Sequence, residues 1–284
     1  NMAKTTGSDL LIRALRAEGV DTVFGIAGDH ILHMLDTMFD APLRMIDFRH
    51  ESGAAHAADS YSRILKKGGV TLSTTPGHAN AVPALANAMH SEAPIINIAG
   101  SAESPNIGRG AMQEFDQVGV AAPVTKGAWN VPTPERIPEY VALAFRTALS
   151  GRQGPVHLTI PHDFQQAEVD DSEVARYAPI EYGTPLQVLG DPAQIERAID
   201  LLSTAQRPVI LAGSSAGATA EASEVLRLVE TMRIPFFSED SARALIPDSH
   251  EYSMGLGYQP LNPSVQHVRD ADVVLMLGKK LDYT

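Results

Sequence analysis

Short apolar runs, each parted from the next by a helical pattern of about 10–15 residues, constrain this chain more than any other feature. "DTVFGIAG", "LRMIDF", "GVTLSTT", "PIINIAG" and "GPVHLTIP" read as strands. Between them, "GSDLLIRALRAEGV" has apolar residues at helical spacing, with Ser8 or Asp9 as cap and Gly19 as stop. Further helical patterns cover His30 to Phe39, Glu51 to Leu65, a small-residue stretch after "PGHAN" to His90, and roughly Pro134 to Leu149. Strands in that alternation are joined by crossovers, which predicts an α/β fold with a mostly parallel sheet.

The pattern lapses from 164 to 190, where "FQQAEVDDSEVARYAPIEYGTPLQVLG" is acidic, aperiodic and contains Pro and Gly; this reads as a surface linker. A second α/β unit then begins at "DPAQIERAIDLLSTA" and continues through "RPVILAG", "IPFF" and "ADVVLMLGKK". The predicted organisation is a first domain over residues 5–163, a linker over 164–190, and a second, Rossmann-like unit over 191–284. The sequence reaches "LDYT" directly after a buried-strand signal, so the second unit is expected to be incomplete and the chain to be the N-terminal part of a longer or split polypeptide.

With 22 basic against 34 acidic residues the net charge is −12, which argues against a nucleic-acid binder. No apolar run approaches the roughly 18 residues that span a bilayer, so no membrane role is expected. The absence of cysteine rules out disulfides and thiolate metal sites and fits a reducing cytoplasm.

"FRHESGAAHAADSYSR" raises a zinc site at first sight. A helical zinc pair needs histidines four apart, yet His56 follows His50 by six, with the two pointing about 240° apart. No metal site is expected in this chain. The plainer alternative has His50 and Glu51 at a strand-to-helix junction, where the glutamate caps free backbone N–H groups and complements the helix dipole. "FGIAGDH" and "LAGSSAG" follow apolar strands as phosphate-binding turns do, but neither is G-x-G-x-x-G, and glycines there are mostly tight-turn residues.

Four segments in order carry more. "RHESGAAHAADSYSR", "STTPGHANAVPALANAMHSEAPIINIAGS", "AMQEFDQVGVAAPVTKGAWNV" and "GPVHLTIPHDF" together resemble the pyrimidine-binding domain of thiamine-diphosphate enzymes. The group in question contains acetolactate synthase, 2-hydroxyacyl-CoA lyase, oxalyl-CoA decarboxylase and benzaldehyde lyase. The second unit is similar to the family's middle domain. His30 in "FGIAGDHI" and the segment "DQVGVAAPVTKGAWNV" resemble the benzaldehyde-lyase-like members, whereas "LGKKLDYT" is similar to the CoA-dependent lyases and decarboxylases. The chain departs from the family where Thr75 replaces the usual glycine before Pro76 and where His78 follows Gly77.

The resemblance implies a lyase or carboligase acting on 2-hydroxyacyl-CoA or 2-hydroxy ketone substrates, with acetolactate-synthase-like condensation of 2-oxo acids and a non-catalytic relative as alternatives. It implies that Glu51 bonds the aminopyrimidine of thiamine diphosphate, in a partly dry site where the carboxylate can share a proton, and that the cofactor is the electron sink for C–C chemistry. Gly53, Ala54, Ala55, Ala57 and Ala58 would let the flat ring approach. Pro76, Gly77 and Asn80 would shape the turn beside it, Gln113 would hold a substrate oxygen, and His30 would relay a proton or donate to an oxyanion. The G-D-G…N motif for Mg2+ and diphosphate is absent; in the family it lies in a C-terminal domain, so a homodimer or homotetramer and a diphosphate-binding domain are implied. Lys279 and Lys280 leave CoA or ADP in the second unit as an open alternative to plain solvation.

Overall fold

A computed structural model describes residues 4–175 and 189–282. Two compact units divide near residue 185. Among the described residues no helix is long and apolar enough to cross a membrane.

The first unit opens with β1 (Lys4–Thr6) and α1 (Gly7–Ala17). The helix is capped by Thr6, which accepts from Asp9 N while Asp9 reaches back to Thr6 N; the expected cap at Ser8 or Asp9 thus lies earlier, with Asp9 as the reciprocal partner. There follow β2 (Thr22–Gly25), a 3-10 turn at Asp29–Ile31, α2 (Leu32–Phe39), β3 (Arg44–Asp47) and α3 (Glu51–Leu65). Next come β4 (Gly69–Ser73), α4 (Thr75–Ser91), β5 (Ile95–Ser101), α5 (Gln117–Ala121) and β6 (Ala128–Asn130). The unit closes with α6 (Ile137–Leu149), β7 (Val156–Pro161), α7 (His162–Gln166) and β8 (Glu168–Asp170). The segment read as linker from residue 164 therefore begins with a helical turn and with a strand antiparallel to β1, while the part of it at 176–188 lies outside the described residues.

Six strands form one parallel sheet in the order β3-β2-β4-β5-β7-β6. Side chains alternate across a strand, so the two faces differ. Val70, Leu72, Ile96, Ile98, Val156, Leu158 and Ile160 join a core with α1, α2 and α6. The intervening residues are polar: register pairs Thr71 with Asn97 and Asn97 with His157, a buried polar row across three central strands. Above that face α3 and α4 pack on alanines, Ala55 against Ala81 and Ala84, with Ala54, Ala58 and Ala88 beside Phe24 and Leu85.

The second unit contains α8 (Pro192–Thr204), β9 (Pro208–Ala212), α9 (Ser214–Thr219), α10 (Ala222–Met232), β10 (Phe236–Ser238), β11 (Ser253–Leu256), α11 (Gln266–Arg269) and β12 (Val273–Leu277). Its four-stranded parallel sheet has the order β11-β10-β9-β12. Asp191 caps α8 by accepting from Ala193 N at 3.0 Å.

Candidate functional site

The chain runs from β2 to β3 on one side and returns to β4 on the other, so the carboxyl ends of β2 and β4 flank a topological switch point, where open parallel sheets bind ligands. Segments from β2, β3 and β4 meet there. A Cβ placed on Gly28 would lie 2.4 Å from Thr74 Cγ2, so only glycine lets the loop after β2 reach the start of α4.

Glu51 is the first residue of α3. His50 is the N-cap, and its Nδ1 accepts from Ser52 N at 3.2 Å, so the capping expected of Glu51 is done by the histidine before it. The half-buried Glu51 carboxylate takes a hydrogen bond from Asn80 Nδ2 to Oε2 at 3.0 Å. A Cβ on Gly77 would stand 2.8 Å from Glu51 Cγ and 2.9 Å from Oε1; the glycine opens the notch that the carboxylate fills. Oε1 has no hydrogen-bond partner among the described residues. One oxygen is anchored and the other is free, which suits a carboxylate that shares a proton with a ring nitrogen.

Pro76, Gly77 and Asn80 lie in the first turns of α4, not in a preceding turn: the expected "PGHAN" loop is helical, with Pro76 in the N-terminal turn where its missing N–H costs nothing. Pro76 and Asn80 face outward, and His78 points the other way and is fully buried. Its bulk therefore occupies the core. Ala54, Ala55 and Ala58 are likewise buried against α4 and β4, and Gly53 and Ala57 are the small residues of that set left at least partly open. The alanines set how close two helices come, and do not make the ring-facing wall that the resemblance implied. His56 is exposed, and no group of histidine and carboxylate residues able to hold a metal occurs among the described residues.

His30 follows β2 in the 3-10 turn and is 6% exposed. Its carbonyl accepts from Gln165 Nε2 at 2.7 Å and lies where any Cβ on Gly100 would sit, 1.9 Å away, so the turn rests directly on β5. Its ring Nδ1 is 3.2 Å from Thr75 Oγ1. Burial lowers its pKa, with Asp29 opposing and His162 adding to the shift. Gln113 stands apart: it is exposed, in left-handed backbone at φ 59, outside the polar contacts of the site. The glutamine that enters is Gln117, first residue of α5 and 3% exposed. Its Nε2 donates to Thr75 Oγ1 at 3.0 Å and to Gly100 O at 3.1 Å, and its Oε1 accepts from Thr159 Oγ1 at 3.2 Å. Two glutamines four apart are indistinguishable by composition; only burial separates them.

Gln117 and Thr75 border a cavity of about 530 Å³ whose lining includes Ser101, Phe115, Asn130 and Thr159. The loop over it is tied by Glu114, whose carboxylate accepts from Gly108 N at 2.5 Å and Ala111 N at 3.0 Å; those bonds hold its pKa down. Beneath lies the polar row. Asn97 contacts His78 Nδ1 and His157 Nδ1 through Nδ2, each at 2.8 Å, and accepts from Thr71 Oγ1 at 2.6 Å. The imidazoles stack with centroids 3.9 Å apart. Burial lowers His78 to about 4, with a bond to Gln117 O partly opposing, and burial holds His157 well below its ordinary value. Sequence reading missed this row, although "VTLS", "IINIAG" and "VHLTIP" carry it as polar residues alternating with apolar ones.

Residues 5–120 match the family model for the N-terminal TPP binding domain of thiamine pyrophosphate enzymes, and residues 195–284 match the model for their central domain. The chain belongs to the thiamine pyrophosphate enzyme family. Among curated proteins it is 36% identical over 275 residues to a probable acetolactate synthase large subunit from Methanocaldococcus jannaschii, covering 96% of this chain and 46% of that protein. It is 34% identical to the acetolactate synthase large subunit of Corynebacterium glutamicum, covering 98% and 45%. It is 31% identical to oxalyl-CoA decarboxylase of Escherichia coli, covering 98% and 49%. The chain thus spans about half the length of the curated relatives it matches.

In the central-domain unit, Lys279 Nζ is paired with Glu239 at 3.2 Å and Asp282 at 2.8 Å, its side chain 5% exposed. Ser215 N donates to Gly278 O at 3.2 Å and Gly213 N to Leu277 O at 3.0 Å. The Gly213 and Ser215 amides and the lysine are already engaged within the unit, and only Lys280 of the two lysines is exposed.

Proposed function

We propose that this chain supplies the pyrimidine-activating part of a thiamine-diphosphate-dependent carboligase, with condensation of 2-oxo acids of the acetolactate-synthase type as the leading activity. The observation that carries the thiamine reading is the Glu51 carboxylate in the Gly77 notch, one oxygen on Asn80 and the other free. The 2-oxo acid assignment is supported by the relatives named acetolactate synthase. The residues present fit the cofactor's aminopyrimidine: a carboxylate seated against Gly77, one of its oxygens without a hydrogen-bond partner among the described residues, and exposed Gly53 and Pro76 at the starts of the same two helices.

When bound, thiamine diphosphate supplies a carbon nucleophile and an electron sink for C–C bond making and breaking. Glu51 would hold and share the proton at a ring nitrogen through Oε1 while Asn80 fixes its orientation. Gly77 would keep the carboxylate seated, and His30, neutral near pH 7, would accept or donate a proton at the rim. Mg2+, the diphosphate contacts and most substrate contacts would come from a diphosphate-binding domain, in a homodimer or homotetramer.

A second reading, cleavage of 2-hydroxyacyl-CoA or 2-hydroxy ketones, draws on His30 at the switch point and on the likeness to oxalyl-CoA decarboxylase. Assaying the holoenzyme with pyruvate, and separately with 2-hydroxyacyl-CoA and a 2-hydroxy ketone, tests both. Acetolactate formation supports the leading assignment; cleavage of a 2-hydroxy substrate without it moves the assignment to the lyase.

A further inference from the structure

We infer that Thr75 and Gln117 are positioning residues that hold His30 in the tautomer protonated on Nδ1, leaving Nε2 unprotonated and without a hydrogen-bond partner among the described residues. This rests on the reading of His30 as a residue of the reaction site. The inference follows from proton positions along a continuous hydrogen-bond chain, together with the Thr75 hydroxyl donating to Gly100 O and not to His30.

The chain begins at an acceptor that cannot change. Gln117 O is a carbonyl, so His78 Nε2, 3.1 Å away, donates to it. A neutral His78 then has a bare Nδ1, which accepts from Asn97 Nδ2; the Asn97 oxygen is thereby the atom that accepts from Thr71. The second Asn97 N–H goes to His157 Nδ1, which leaves His157 Nε2 to donate to Thr159 Oγ1 at 2.8 Å. Thr159 passes its own proton to Gln117 Oε1. The Gln117 amide nitrogen must then face Thr75 Oγ1 and Gly100 O. Thr75 receives one N–H and spends its proton on Gly100 O at 3.1 Å. Its remaining lone pair can only accept, and the group presented to it at 3.2 Å is His30 Nδ1. His30 Nε2 has no hydrogen-bond partner among the described residues.

Thr75 occupies the position where the family pattern has glycine, so this chain carries a hydroxyl that a glycine could not offer. Burial keeps His30 neutral, which the assignment requires. The charged or titratable groups facing it are Asp29 on its own turn and His162 on α7, whose ring lies 6.4 Å away; β4 and β5 bring none.

The test uses holoenzyme carrying 15N-labelled histidine. Long-range 15N–1H spectra separate the nitrogens, because Nε2 couples to both ring C–H protons and Nδ1 to one. The expected result is His30 with its proton on Nδ1. Thr75→Val, close in shape but without the hydroxyl, should shift His30 toward the Nε2-protonated form, lower kcat/KM by about tenfold or more, and move the acid limb of its pH profile to lower pH, because the protonated imidazole loses its Nδ1–H acceptor. Thr75→Ser should restore all three. A proton on Nε2 in the unsubstituted enzyme, or a Thr75→Val enzyme with unmoved spectrum and pH profile, overturns the inference. Unchanged turnover in His30→Ala, with the Nδ1–H spectrum intact in the parent, removes His30 from the reaction and overturns the positioning role while the Glu51 reading stands.

Discussion

A methyl group on Gly77 would come within 2.8 Å of Glu51 Cγ, so the residue at one helix start decides whether the carboxylate at another can be seated. Gly77→Ala must push Glu51 out of its notch or part α3 from α4. The expected outcome is a holoenzyme that binds thiamine diphosphate about 10–100-fold more weakly, by roughly 1.4–2.8 kcal/mol, with little change in unfolding midpoint if Glu51 yields. Titration calorimetry on the apoenzyme reads it; unchanged affinity would separate the notch from the cofactor.

Glu51→Gln keeps the size and the contact with Asn80 but cannot share a proton in the same way. A fall in kcat on the order of 10²–10⁴ is expected, with the circular dichroism spectrum unchanged. Turnover within a factor of two of the parent would remove the proton-sharing role.

Stability should depend on pH through the buried imidazoles. His78 is held neutral by burial, its pKa lowered from 6.5 to about 4. The unfolded chain binds a proton that the folded chain refuses, so stability is complete above about pH 6.5 and is lost as pH falls from there toward 4. His78 alone contributes about 3 kcal/mol to that loss, and His157 adds in the same direction. Urea midpoints measured at pH 7.5, 6 and 5 should decline accordingly; a flat profile would mean that the pair is not buried and neutral.

Asn97 satisfies three buried groups at once: two imidazole nitrogens and the Thr71 hydroxyl. Asn97→Leu leaves all three without partners, at a cost of roughly 3–5 kcal/mol. Denaturant unfolding should show it as a lower midpoint. A loss below about 1 kcal/mol would mean that the row is hydrated or rearranges freely.

The strand and helix alternation was legible because it depends on local periodicity. Glu51 to Leu65 begins and ends where the helical pattern placed it, and the six-stranded and four-stranded sheets are parallel. The unexpected placements fall where a local signal has two meanings. "TPGHAN" contains turn residues, yet Pro76 is acceptable in a helix's first turn, so α4 starts at Thr75. Gln113 and Gln117 differ only in which way the chain carries them.

The sequence by itself determined the two parallel α/β units and the family, because backbone periodicity and ordered motifs are properties of neighbours along the chain. The tertiary structure alone decided what the unusual residues do. Sheet register aligned Thr71, Asn97 and His157, helix packing turned His78 inward and Thr75 toward His30, and a missing Cβ on Gly77 made room for Glu51. Those outcomes depend on separations of 19 to 60 residues between hydrogen-bonded partners, which no local pattern encodes.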